Sequence, residues 1–105
     1  MIRHLVLFSL RPEIGATEID DLFDEIRKLG GIPAVRRIET GTLLDPRDPG
    51  YRNHMSADFR YALLADFDDE DGLYAYQRDP SHIAVAGEIR KRVSVIKVID
   101  FVTPD

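Results

Sequence analysis

The 105-residue sequence predicts an α+β fold of ferredoxin-like order, β-α-β-β-α-β, with a four-stranded antiparallel sheet carrying its helices on one face. Three observations predict it. Apolar and β-branched residues gather in strand-like runs near both ends and in the middle of the chain. The segments between them show helical spacing, and proline or glycine stands at several of the junctions.

Ile2 to Leu10 is rich in β-branched and aromatic residues and stops at Arg11-Pro12, which marks it as the first strand. Ile19, Leu22, Phe23, Ile26 and Leu29 then fall on one helical face, with Thr17 as the expected cap and Glu18, Asp20, Asp21, Asp24 and Glu25 in the early turns. Gly30-Gly31 ends this helix, and Pro33 keeps the chain extended into a second strand over Val35 to Leu44. Residues 45–53, DPRDPGYRN, read as a loop long enough to act as a lid. From Ser56 to Phe67 every odd position is apolar, as a third strand requires when one of its faces is buried. The following acid-rich stretch passes into two consecutive helical pieces divided at Pro80, which a helix interior does not accommodate. Val93 to Val102 closes the sheet.

Composition narrows the function classes. A chain that is 44% hydrophobic and 31% charged, with a formal net charge of -5, has the balance of a soluble globular domain and lacks the basic surplus that nucleic acid demands. No apolar run is long enough for a membrane span or a signal core, and cysteine is absent, so the expectation is a cytoplasmic protein without disulfides, nucleic acid or membrane as partners. His4, His54 and His82 lack the short spacing of a zinc site. In the acidic run 66–71, a calcium-loop register anchored on Gly72 places Phe67 and Arg78 at ligand positions, so these acids read as caps and first-turn charges. Arg90, Lys91 and Arg92 read as a solvated helix end. No phosphate loop or cofactor motif is present, and no cofactor is expected.

Tyr76 and His82 flank Asp79-Pro80, the pattern of a cap followed by proline at the first helical position. His82 is thereby expected in the first turn of the last helix, where the positive helix end disfavours imidazolium. A neutral imidazole there can accept a proton from a carbon beside a carbonyl, and a phenol can donate a hydrogen bond to the resulting oxyanion. The same pair also suits a purely structural contact. His4 shares a strand face with Val6 and Phe8 and fits either a core histidine or a ligand contact. The predicted cavity between helices and sheet is bordered by Tyr76 and His82 and lined by Phe8, Phe23, Phe59 and Tyr61. The opposite sheet face, with Leu5 and Leu7, is expected to be apolar and uncovered, which favours self-association.

HLVLFSL at 4–10, FRYALLADFDDEDGLYAY at 59–76, DPSH at 79–82 and VIDF at 98–101 together resemble the Dabb family, the stress-responsive A/B barrel domain, across nearly the whole chain. The resemblance implies one such domain over residues 1–105, forming a dimeric α+β barrel in which two ferredoxin-like sheets meet face to face. It implies no assigned activity for most members. A few are cofactor-free cyclases acting on linear polyketides with a tyrosine and a histidine spaced as Tyr76 and His82 are, and a histidine often opens the first strand, as His4 does. The chain departs from relatives that read His-Pro-x-His by having Asp79, and Tyr61 aligns with the cyclases' strand-three histidine. Two readings stay open: a homodimer binding a small, mostly apolar molecule, and a cofactor-independent cyclase or lyase working beside a carbonyl.

Overall fold

A computed structural model describes residues 1–54 and 58–104. Its elements run β1 (Ile2–Leu10), α1 (Ala16–Lys28), β2 (Arg37–Thr42), α2 (Pro49–Arg52), β3 (Tyr61–Phe67), α3 (Glu70–Arg78), α4 (Pro80–Arg90) and β4 (Val93–Val102), with a 3-10 turn at Leu29–Gly31. The strands form one antiparallel sheet in the order β2-β3-β1-β4, which is the expected ferredoxin-like arrangement.

Alternation along β1 decides the two faces. Ile2, His4, Val6 and Phe8 are buried, and in register with them stand Phe67, Ala65, Leu63 and Tyr61 of β3 on the same face. The helices supply Leu22, Ile26, Leu73, Tyr76, Val85 and Ile89 to this core, in which Phe8, Phe67, Ile26 and Tyr76 are the largest fully buried side chains. The other face presents Leu5 and Leu7 with Leu64 of β3 and Ile99 and Phe101 of β4, and none of the described helices supplies its core residues to this face. Ile99 and Phe101 are 43% and 42% exposed, so this apolar surface meets solvent in a single chain.

Several boundaries differ from expectation for local reasons. The cap of α1 is Gly15 rather than Thr17, because a turn from Ile14 N–H to the Arg11 carbonyl lets the helix start at Ala16 and leaves Thr17 exposed inside its first turn. β2 begins at Arg37, since Val35 N–H bonds back to the Ile32 carbonyl and its side chain turns into the core. β3 begins at Tyr61. The Ser9 hydroxyl donates to the Asp58 carbonyl and accepts from Arg60 N–H, both at 2.9 Å, a side-chain bridge beside the backbone bonds that Arg60 still makes to Phe8 and Leu43. Residues 56 and 57 of the expected strand lie outside the described residues. The 45–53 segment carries α2, a single turn whose cap Asp48 accepts from Gly50 and Tyr51 N–H.

The α3–α4 junction follows expectation. Asp79 ends α3 and caps α4, its carboxylate accepting from Ser81 N–H at 2.8 Å with Pro80 in the first helical turn. Asp69 caps α3 through Gly72 N–H, and Asp68 pairs with Arg36, whose guanidinium holds the Asp68 carboxyl below its usual range. The acidic run is thus used in caps and pairs.

Candidate functional site

Four elements converge on one polar cluster. β1 points His4 toward the helices, and β4 places Asp100 directly across from it in the antiparallel register. The His4 Nδ1 to Asp100 Oδ1 distance is 2.5 Å. A carboxylate only accepts, so Nδ1 carries the proton and Nε2 is turned away from Asp100. Tyr76, in the last turn of α3, meets the His4 ring edge-on at 6.0 Å and the Phe67 ring at 5.0 Å. His82, in the first turn of α4, lies with its ring 4.3 Å from that of Tyr76. Its Nδ1 is 3.2 Å from the Gln77 carbonyl, an acceptor, so Nδ1 donates and Nε2 keeps its lone pair.

These groups border a cavity of about 350 Å³ between the sheet and α3–α4. Its walls are apolar, from Val6, Leu29, Leu63, Val85, Ala86, Ile89, Ile96 and Val98, and its remaining polar groups are Gln77 and Arg90. Ile96 and Val98, on the edge strand β4, are 42% and 51% exposed, which puts the mouth on that side. The Tyr76 hydroxyl and the Nε2 atoms of His4 and His82 form no hydrogen bond with the described residues, and no buried side-chain polar atom among them lacks a partner. All three residues line the cavity.

Burial sets the protonation states of the pair. Desolvation pushes the Tyr76 phenol up to about 12, so it remains a donor across the accessible pH range. Desolvation also lowers His82 below the ordinary imidazole value, the hydrogen bond to Gln77 opposing it and the charge of Arg90 assisting it. A neutral base beside a protonated phenol can take a proton from carbon and hold the developing oxyanion.

The structure brings Tyr76, His82 and His4 together and places the four predicted aromatics elsewhere. Phe8 is completely buried, stacked on Phe23 at 5.9 Å and close to Tyr61 at 5.6 Å, beyond the cavity wall. Phe23 and Tyr61 border a different, open hollow of about 410 Å³ between α1 and β2, with Asp20, Arg27 and Thr40. Phe59 precedes β3, half-buried, and is not part of the cavity lining. None of these four lines the Tyr76–His82 cavity, which lies under α3–α4, and Phe8, Phe23 and Tyr61 form an aromatic cluster of their own. Asp100, Gln77 and Arg90 were not anticipated as site residues. A lone acid in the apolar strand VSVIKVIDFV was the available signal for Asp100. Among the described residues no group of three or more metal-ligating side chains forms.

A four-stranded antiparallel sheet in the order β2-β3-β1-β4 with its helices on one face defines an α+β protein of ferredoxin-like fold. The chain belongs to the Dabb family, the stress responsive A/B barrel domain, whose family model matches residues 2–103. Among solved structures it is similar to a dimeric ferredoxin-like protein of unknown function from Thermobifida fusca, 25% identical, with a TM-score of 0.79 over 97% of this chain and 90% of that one. It is similar to a Dabb family protein from Mesorhizobium loti, 24% identical, with a TM-score of 0.79 over 99% and 97%. It is also similar to a hydroxynitrile lyase from Passiflora edulis, 19% identical, with a TM-score of 0.85 over 99% and 94%. None of the curated proteins matches.

Proposed function

We propose that this chain acts as a cytoplasmic homodimer of single stress responsive A/B barrel domains, each binding a small, mostly apolar, carbonyl-containing molecule in its cavity. The observation that carries this reading is that His4, Tyr76 and His82, whose Nε2 atoms and hydroxyl have no hydrogen-bond partner among the described residues, line one apolar-walled space. A site of about 350 Å³ is of the size that takes small ligands, and convergent polar groups fix their orientation. Acetophenone, an apolar ketone, is a suitable probe. Its titration should shift the imidazole and phenol resonances of these three residues, and native mass spectrometry of the purified protein should reveal a retained small molecule. Unchanged resonances together with an empty protein would sink the reading.

A second reading, that the cavity transforms its ligand, is favoured by the state of His82. With Nδ1 held by the Gln77 carbonyl, Nε2 is available as a base, while Tyr76 stays protonated and able to donate. In this reading Nε2 takes a proton from the carbon beside the ligand carbonyl, and the Tyr76 hydroxyl steadies the oxyanion. The Asp100-bound His4 orients the substrate from the sheet side. Aldol-type cyclisation and lyase chemistry both need such a pair. The same fold hosts a hydroxynitrile lyase in Passiflora edulis, a likeness that at 19% identity supports the fold and leaves the chemistry to this chain's own residues. Proton exchange at the methyl group of acetophenone in deuterium oxide tests it. Exchange no faster than in buffer, together with no turnover of a poly-β-keto substrate, removes the enzyme reading and leaves the binding one.

A further inference from the structure

α4 ends in three consecutive cations that the structure treats differently. Lys91 pairs with Glu88 at 3.2 Å, and Arg92 is held by Glu18 at 2.6 Å and Glu88 at 2.7 Å. Arg90 has no hydrogen-bonding or ion-pair partner among the described residues, and it alone of the three lines the cavity. Helical spacing explains the difference. His82, Ala86 and Arg90 stand four residues apart on one stripe of α4, each lines the cavity, and the stripe runs from the polar cluster to the end of the helix. The Arg90 backbone therefore lies roughly 12 Å along the helix axis from that of His82, and its guanidinium folds back beside Gly87, with Val85, Ala86 and Ile89 lining the wall of the cavity. A guanidinium without a partner among the described residues, on the wall of an apolar cavity in a protein of net charge -5, is a local positive site matched to one negative charge.

We infer that the cavity selects an amphipathic monocarboxylate, with its carboxylate on Arg90 and its apolar body along the wall formed by Val85, Ala86 and Ile89. The inference rests on the reading of the cavity as a small-molecule site and adds the chemical class of the ligand. A planar guanidinium suits a carboxylate because two parallel N–H groups meet its two oxygens, which a neutral amide of the same length cannot reproduce. A helix-end cation serving only the helix dipole would be indifferent to the ligand's head group.

The test compares octanoate, octanamide and octanol by calorimetry, with the His82 and Tyr76 resonances locating each probe in the cavity. Octanoate is expected to bind about tenfold or more tighter than octanamide, the scale of one charge-assisted hydrogen-bonding pair. The gap should close in Arg90→Ala and Arg90→Gln and persist in Lys91→Ala. Equal binding of octanoate and octanamide to the unaltered protein overturns the inference and leaves the cavity reading intact, as does a gap that survives loss of Arg90. If none of the three probes binds, the cavity reading falls and this inference with it.

Discussion

His82 and Tyr76 depart from their ordinary titration in opposite directions, and both departures arise from burial beside the same cavity. His82 in the folded chain binds its proton less readily than the unfolded value of 6.5, so its neutral form contributes stability that is complete above that pH and declines as pH falls below it. Tyr76 behaves the other way: its raised phenol favours the folded state below 10, and that contribution is lost as pH rises from 10 toward 12. His82→Gln should therefore flatten the acid limb of a melting-temperature profile, and Tyr76→Phe the alkaline limb. If the pair catalyses proton transfer, either variant should lower exchange or turnover by about 100-fold or more while the fold persists. A fall in melting temperature with exchange unchanged would assign the pair to structure instead. The spacing of these two residues around Asp79-Pro80 was legible in the sequence because a cap followed by proline has a local geometry. Asp100 was not, because its partnership with His4 spans the chain and depends on a strand register that no local pattern encodes.

At the scale of elements, Asp79 is the hinge of the site. Its backbone closes α3 and its carboxylate opens α4, so one residue fixes the angle at which Tyr76 and His82 face each other. Asp79→Ala removes the hydrogen bond to Ser81 N–H and should cost about 1 kcal/mol of stability, while Asp79→Asn, which keeps the accepting oxygen, should cost little. Chemical denaturation of both variants measures this, and equal losses would show that the cap is not what Asp79 supplies. The helical pieces were legible because proline and acidic caps mark their ends. The start of β3 was not: the period-two run over 56–67 extends beyond Tyr61 into residues that the Ser9 hydroxyl, on another strand, bridges at Asp58 and Arg60, a contact the run itself does not register. The same limit misplaced Phe8, Phe23 and Tyr61. Their apolar spacing correctly marks inward-facing positions, but helix α1 rather than α3–α4 covers them.

For the whole molecule the controlling fact is an apolar sheet face that the described helices do not cover and on which Ile99 and Phe101 are exposed. Leu5, Leu7, Leu64, Ile99 and Phe101 share that face with the Arg3–Asp66 pair, at 3.3 Å, and with Lys97. A patch of this kind ringed by charge marks an association surface, and a second copy supplies a matching one by two-fold symmetry. The structural relative from Thermobifida fusca is itself dimeric. Two chains of 12.0 kDa are therefore expected to sediment together at micromolar concentration, burying more than about 1,000 Å² in total, the threshold for a specific interface. Because the dimer is favoured by mass action, its melting temperature should rise with protein concentration. Leu7→Glu puts a charge in the centre of the face while leaving the helix side of β1 untouched, so it should yield a folded monomer whose melting temperature no longer depends on concentration. A parent protein that sediments as a 12.0 kDa monomer would overturn the assignment, and a Leu7→Glu variant that stays dimeric would move the interface to another surface of the molecule.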